Sequence, residues 1–492
     1  MPVVSGLWLL LIACFASPLP FLLDMVPSDR VIRTILLAFA VVISLAFLNP
    51  LVRASEWRWL NAVLAGLAAV AIISRLFWES PDLGQLSGIA GWGLVLAGVA
   101  LLLLGIAVWR SLGWMFGLAF VLALAANLVG TSPSLSSALE TGLGISLSVL
   151  WFSGEGILDL WFGIFAQALA LFVIVGLFFE SPRAEAALQT LFFGPLARLT
   201  GHPTAALIPR ALAGHLPMWF VMFFGVAAAS EYFRLGHNDL LPAIAIFAVQ
   251  WAFFLLQAAY YASYAVQRRF RTGGNLRSLQ IWCALTTLSL GVLLYFSVTS
   301  LAVGNILNLA LILSASLMSS PIGNLFALVH NFVSLSLVYF AASLLWYVVA
   351  GSLGAAKKMD LLDFPDLPFW WFAAAACFVI VLLSLWHRRA GPHGRLAVLI
   401  DILRHLLPPF MLCWGTAVAG LSPGLSAFQA VLVALCLWIC ITLSEGAGSA
   451  DSSLHVLRDR LVDRLALGGR LLTLGALGAA LMGAAFTPSG LN

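Results

Sequence analysis

The chain has 492 residues, of which 62% are hydrophobic and only 9% are charged, and its mean hydropathy is +1.05. Soluble domains carry about 25% charged residues, so this composition excludes a soluble, solvent-facing protein. The net charge is only +4, and no basic stripe with interleaved aromatic residues indicates binding to nucleic acid.

The hydrophobic residues are grouped into segments of membrane-spanning length. Because a span needs about 20 apolar residues, the sequence predicts an all-α, polytopic integral membrane protein with about 15 transmembrane helices. The predicted spans are 3–23, 34–52, 59–78, 87–109, 111–130, 160–179, 215–229, 240–266, 279–298, 301–319, 323–350, 369–386, 405–421, 426–446 and 471–487. No cation precedes the apolar run that begins at Val3, so we expect a first transmembrane helix rather than a signal peptide.

Three blocks follow one another along the chain, at 1–135, 136–275 and 276–492. The first is a scaffold of five closely spaced helices, the second has interrupted helices, and the third is a C-terminal helical bundle. The second block contains the long amphipathic stretch 181–214, where prolines and glycines exclude one straight helix. The third contains two basic amphipathic stretches, 395–407 and 452–467, which we expect along the inner membrane surface.

The distribution of the cations predicts the orientation. If the N-terminus is cytoplasmic, 18 of the 24 Lys and Arg fall on the inner side, as the positive-inside rule requires. The six exceptions, outside or near the outer edge, are Arg30, Arg33, Arg75, Arg234, Lys357 and Lys358. The bias supports fifteen spans, a periplasmic C-terminus and a bacterial inner-membrane location, since dropping one crossing would invert every later loop.

Polar residues at membrane depth are the first functional candidates, because burying them there is unfavourable without a role. Glu155 and Asp159 are one helical turn apart at the outer end of a span, with Gln167 further along. The two carboxylates would form one anionic spot. The alternative interpretation is that both simply reach interfacial water.

The other candidates lie in the third block. They are Asn308, Ser319, Ser320, Asn324, His330 and Asn331. Pro321 and Gly323 together break a helix. Such a break frees backbone groups that can hold an ion or an anionic substrate. The alternatives are a plain turn between two spans and, for His330, a hydrogen-bonded buried histidine.

No catalytic or cofactor-binding motif occurs in a plausible setting, so the sequence predicts neither an enzyme nor a bound cofactor or metal. The six cysteines lie in apolar segments without paired loop spacing, and Cys436 and Cys440 share a helix face that favours packing. Gly475, Ala479 and Gly483 form a small-residue face on the last span. That face allows close helix packing within the chain or against a partner.

One segment resembles a known family. Its matching residues are Glu155, Gly156, Ile157, Gly163, Phe172, Gly176, Phe178 and Glu180. At this spacing they resemble the membrane subunit of TRAP transporters, the tripartite ATP-independent periplasmic carriers, in their fused form. Weaker similarity begins at Arg33, includes the turn at 110–114 and extends to about 271. The chain therefore looks like a divergent, shortened relative of that family.

The resemblance implies a long helical scaffold around a transport core with re-entrant hairpins. It also implies movement of a small organic acid with sodium or proton coupling, and a periplasmic substrate-binding protein as partner. On this reading Glu155 and the six third-block residues are the transport-pathway candidates. The family's first-hairpin Ser-Gly-Ser pattern has no counterpart between Glu180 and Gly214. That difference favours the alternative hypothesis, a non-transporting scaffold or accessory subunit of a larger membrane complex.

Overall fold

A computed structural model describes residues 1–18, 27–48, 58–78, 91–130, 143–153, 156–158, 162–163, 165–188, 369–390, 395–415, 421–445 and 450–486, with a few single positions between them. Within these residues every regular element is a helix and none is a β-strand. The all-α prediction is therefore confirmed for the part of the chain that is described.

Twelve α-helices occur in the described residues. Helices α1 to α6 are Pro2–Ala16, Asp29–Ile43, Arg58–Ile73, Gly91–Leu112, Trp114–Gly130 and Leu143–Phe152. Helices α7 to α12 are Ala170–Phe179, Pro182–Leu188, Phe369–Ala390, Arg395–Cys413, Pro423–Glu445 and Ala450–Phe486. The π-helical turn Ser44–Leu48 extends α2, the 3₁₀ turn Ser74–Phe77 extends α3, and the π-helical turn Phe165–Leu169 precedes α7.

Several of these helices have the length and composition of membrane spans. Five qualify outright: Asp29–Leu48, Trp59–Phe77, Gly91–Leu112, Pro423–Ser444 and His455–Ala485. The bent pair Phe165–Phe179 and Pro182–Leu188 would make a sixth, and Pro2–Ala16, Phe116–Asn127 and Trp371–His387 are shorter apolar helices. These findings support an integral membrane protein, whereas fifteen spans are not reached in the described residues. Five predicted spans, from 215–229 to 323–350, lie outside them.

Exposed tryptophans mark the ends of the apolar surface on two helices. On α4, Trp92 is 78% and Trp109 is 60% exposed, and their separation of 17 positions corresponds to about 25 Å of helix. Trp371 and Trp386 flank the apolar surface of α9 in the same way. Because tryptophan concentrates at the two membrane interfaces, this spacing fits a bilayer whose hydrocarbon core is about 30 Å thick.

The described helices belong to two compact units. Unit 1 contains residues 1–170 and the chain from Val462 onward. Within it, α2 packs on α3, α3 on α4 and α4 on α5, and α6 contacts α4 and α5. Gly113 joins α4 to α5 with a φ of +112°, a backbone conformation that a side chain would strain. Short turns of this kind make neighbouring helices antiparallel.

The last helix, α12, packs against other segments of unit 1 through its small residues. A Cβ atom at Gly483 would lie 2.4 Å from the carbonyl oxygen of Ile157, and one at Gly475 would lie 2.7 Å from the ring of Phe165. Ala479 is buried on the same helix. The small-residue face of the last span therefore packs within the chain, which decides between the two uses that the sequence leaves open.

Helix α12 differs from its predicted form. The stretch 452–467 was expected along the membrane surface, but α12 is one helix of 37 residues that includes it. At about 1.5 Å per residue it is about 55 Å long, so this stretch continues the last span in line. The helix continues through Gly469. A side chain at that position would collide with Ser5 of α1.

Unit 2 contains residues 171–461. Helices α9, α10 and α11 pack against one another, and α8 packs on α10. In the region of the predicted span 405–421, α10 begins at Arg395, continues through Pro408 and Pro409 and ends at Cys413. The predicted surface stretch 395–407 is thus the first part of the same helix.

Candidate functional site

Three of the arginines that depart from the positive-inside pattern converge in unit 1. Arg30 and Arg33 lie in the first turns of α2, and Arg75 lies in the 3₁₀ turn that ends α3. Since α2 and α3 are antiparallel neighbours, the start of one meets the end of the other. We call these three residues the arginine cluster.

Arg75 is buried and donates to groups on two other elements. Its Nε donates to the carbonyl of Trp151, its Nη2 to that of Ser153 (3.5 Å), and its Nη1 to Thr34 Oγ1 (3.4 Å). Trp151 is in the last turn of α6 and Ser153 directly follows the helix, where carbonyls lack intrahelical partners and carry partial negative charge. The guanidinium therefore caps the end of α6.

Arg30 and Arg33 bind the backbone in the same way. Arg30 Nη2 donates to the carbonyls of Arg75 (2.6 Å) and Trp78. Arg33 Nη1 donates to the carbonyl of Leu158 (3.1 Å), while its Nη2 contacts Asp29 Oδ2 at 3.2 Å. The cluster thus ties the ends of α2, α3 and α6 to the segment after α6.

The segment at the cluster is the one that carries the family resemblance. Ile157 N donates to the carbonyl of Leu150 (2.9 Å), closing a tight turn after α6. A Cβ atom at Gly163 would lie 2.8 Å from the Arg33 guanidinium, so a side chain there would displace the guanidinium. The structure brings Arg33 against Leu158 and Gly163, a contact that the sequence pattern did not predict.

Gln167 belongs to the same end of unit 1. It lies in the π-helical turn before α7, is exposed, and donates to Asp29 Oδ2 (3.1 Å). Short π-helical turns occur frequently at functional sites. Asp29 therefore accepts from both Gln167 and Arg33.

Helix α6 lies across this end of the bundle and was not among the predicted spans. Near its start, Gly144 lies against Leu94 in the first turn of α4, and Ser146 Oγ donates to the carbonyl of Asn127 near the end of α5. At its other end, Phe152 packs edge-on against Trp78, after α3. Both ends of α6 thus contact the same end of the antiparallel bundle.

A second polar cluster lies in unit 2, and the sequence analysis did not identify it. Asp401 and Arg404 are one turn apart on α10 and form an ion pair through Asp401 Oδ1 and Arg404 Nη2. The Arg404 side chain is only 1% exposed, and Asp401 is 22% exposed. Burial lowers the pKa of Arg404 from its ordinary value, and the charge of Asp401 opposes that change. We call this group, together with His387 and His405, the Asp401 network.

The network connects α10 to the sharp bend between α7 and α8. His405 Nδ1 bonds to the carbonyl of Asp401 (2.6 Å), and because a carbonyl can only accept, Nδ1 carries the proton. In the neutral ring Nε2 is then an acceptor, and it lies 3.4 Å from Ser181 Oγ. Phe179 also packs edge-on against the imidazole.

Ser181 explains locally why α8 begins where it does. Its Oγ accepts from the backbone N–H of Ala184 (3.0 Å), and Pro182 occupies the first helical position. This is the usual arrangement at a helix N-terminus. The chain therefore bends by 101° between Phe179 and Pro182, and His405 supports the capping side chain.

Three described cysteines of unit 2, Cys377 on α9 and Cys436 and Cys440 on α11, lie in a row between the two helices. Cys436 Sγ lies 3.9 Å from the carbonyl of Cys377, and Cys440 lies one turn further along α11. In the ranges that the structure describes, no set of three His, Cys, Asp or Glu side chains is arranged to hold a metal ion.

The seven predicted pathway residues lie outside the described residues. They are Glu155, Asn308, Ser319, Ser320, Asn324, His330 and Asn331. Glu155 is closest in sequence to a described site, since it follows Ser153 and precedes Leu158, whose carbonyls bind the arginine cluster. These residues remain predictions.

Comparison with known proteins adds no assignment. No family model, curated protein or solved structure matches the chain. The Asp401 network left one signal in the sequence, because Asp401 is the only acidic residue between 367 and 444. A single carboxylate in so long an apolar and basic segment is a reason to look for its partners.

Proposed function

We propose that this protein is the membrane subunit of a TRAP-like secondary transporter, which moves a small organic acid across the bacterial inner membrane with ion coupling. The proposal includes about 15 transmembrane helices, a cytoplasmic N-terminus, a periplasmic C-terminus and a periplasmic substrate-binding protein as partner. The described helices support the membrane part of this statement. The transport part has separate support.

The single observation that carries the transport proposal is the bend between α7 and α8. The apolar helix Phe165–Phe179 is followed after two residues by Pro182–Leu188, at 101° to it. Secondary transporters form their substrate and ion sites from such broken or re-entrant helices, because a break supplies free backbone groups inside the protein. This bend directly follows Glu180, the last residue of the segment that resembles the family.

A non-transporting scaffold is the second candidate, and the arginine cluster favours it. All three nitrogens of the buried Arg75 side chain contact backbone carbonyls or a hydroxyl. Arg30 and Arg33 also bind carbonyls. Arginines used in this way stabilise the fold rather than bind a transported anion. A subunit that kept only the scaffold would need this end of unit 1 and no transport core.

One experiment separates the two functions. The full-length protein is purified in mild detergent, its stoichiometric partners are identified, and it is reconstituted into liposomes. Uptake of labelled dicarboxylates and amino acids is then measured under a sodium or pH gradient, with and without a candidate binding protein. We expect gradient-dependent uptake that the binding protein stimulates. A stoichiometric membrane partner together with no uptake under either gradient would establish the scaffold function instead.

A further inference from the structure

Asp401 is the only carboxylate in a strongly basic part of unit 2. Between residues 387 and 405 the chain has four arginines and three histidines but one acid. Arg404 and His405 lie near Asp401 on α10, and His387 faces it from α9. The charges of Arg183 in α8 and Cys440 in α11 affect the pKa of Arg404. The side chain in direct contact with it is cationic, since Arg404 Nη2 lies against Asp401 Oδ1.

The His387 ring lies near the Asp401 carboxylate but makes no hydrogen bond to it. Its Nδ1 lies 3.8 Å from Asp401 Oδ1, which is too long for a hydrogen bond. The nitrogen is buried and makes no hydrogen bond within the described residues. A neutral imidazole can leave this gap open, whereas an imidazolium would be drawn to the oxygen that Arg404 also contacts.

The chemistry of the cluster selects a proton over a metal cation. Sodium requires several oxygen ligands and no competing cation, and here Arg404 already occupies the same carboxylate oxygen. A proton needs only one basic atom, and the ring nitrogen of a histidine provides it. Asp401 is partly exposed, so water can deliver the proton.

We propose that His387 and Asp401 form a proton-binding site, and that this site supplies the coupling ion of the transporter. The inference rests on the proposed function. Water delivers a proton to His387 Nδ1, and the resulting imidazolium competes with Arg404 for Asp401 Oδ1. The carbonyl of Asp401 accepts a hydrogen bond from His405, and His405 contacts Ser181, which caps α8. A change of partner at Asp401 Oδ1 therefore affects the residues beside the bend.

Proton binding is tested without any substrate. The full-length protein, labelled with ¹⁵N in its histidines, is placed in lipid nanodiscs, and the ring signal lost in His387→Gln is followed from pH 5 to 8. We expect this signal to titrate in the wild type. In Asp401→Asn its midpoint should move to lower pH, because a neighbouring carboxylate favours the imidazolium. The matched control, Asp459→Asn, removes an exposed carboxylate on α12 and should leave the midpoint unchanged.

Asp401→Asn leaves Arg404 buried without its counter-ion and can unfold the protein, so Asp401→Glu is measured as well. It keeps the charge but moves it by one methylene, and it should change the midpoint while the protein stays folded. A His387 signal that does not titrate, or a midpoint unchanged in both Asp401 variants, overturns the proposal.

Coupling is tested in liposomes with the pH gradient as the driving force. We expect His387→Gln to reduce gradient-driven uptake at least tenfold while exchange of substrate without a gradient persists. Unchanged dependence on the gradient would overturn the coupling role. Titration of His387 without uptake of any organic acid would instead refute the transport function and leave the proton site standing. The two proposals therefore fail by different results.

Discussion

Arg75 shows how this protein keeps a charged side chain at membrane depth. The guanidinium lies near the end of a candidate span and is almost fully buried. Its five donors suit a set of fixed oxygen atoms better than an ammonium does. Two of its bonds are made to carbonyls at the end of α6, which lack intrahelical partners, and the third is made to the hydroxyl of Thr34 in α2. The same bonds that satisfy the arginine therefore hold α6 against α3.

Replacing Arg75 with Gln tests this structural role. The carbonyls of Trp151 and Ser153 would lose their donor, and leaving such buried groups unpaired destabilises a protein by about 2–4 kcal/mol. We expect a clearly lower unfolding temperature in detergent. Arg458→Gln is the matched control, because Arg458 is exposed and pairs only with Asp459. Equal stability of the two variants would contradict the capping role of Arg75.

Asn324 and His330 test the pathway predicted from the sequence. If they line the transport path, Asn324→Ala and His330→Ala should each abolish uptake in liposomes, because an alanine removes the polar contact for the ion or substrate. Ser422→Ala is a control, since Ser422 caps α11 and is no pathway candidate. Normal uptake rates in the two pathway variants would return both residues to a packing role.

At the level of the helices, breaks are as informative as spans. Helix α6 has only ten residues, about 15 Å of helix, and is too short to cross a membrane. The bend after Phe179 divides another apolar segment into two helices. Both interruptions lie in the block where the sequence predicts interrupted helices. Their geometry depends on Arg75 and His405, which contact them from distant parts of the chain.

The packing of α12 gives an element-scale prediction. Gly483→Ala would place a methyl group 2.4 Å from the carbonyl oxygen of Ile157, so the helix would have to move away. Such overpacking destabilises by about 1–3 kcal/mol. Gly98→Ala in α4 is the matched control, because no atom lies near its Cβ position, and alanine there should be neutral or stabilising.

Thermal unfolding of the two glycine variants in the same detergent checks this expectation. A lower unfolding temperature for Gly483→Ala alone supports close packing of α12 within the chain. If Gly483→Ala were as stable as the wild type, the small-residue face would be free to pack against a partner.

For the whole molecule, the predicted orientation rests on where the cations fall. Lys357 and Lys358 are the only lysines in the chain, and they follow the eleventh predicted span. With a cytoplasmic N-terminus they lie in the periplasm. A membrane-impermeant amine reagent should therefore label them in intact spheroplasts, and Lys357→Arg with Lys358→Arg should remove the label. Labelling only after the membrane is opened would show that the number of preceding spans is even.

The sequence by itself determined the membrane class and the helical fold. The length of a hydrophobic segment is a local property, and in lipid such a segment must satisfy its backbone hydrogen bonds internally, as a helix does. It also marked the segment around residues 155–180 as unusual. It did not show that Arg33 contacts Gly163, or that Asp401, His387 and Ser181 belong to one network. Those contacts join residues up to 224 positions apart, and only tertiary packing decides which buried polar groups meet. The same packing decided that the small face of α12 turns inward, since periodicity gives the face of a helix but not its neighbour.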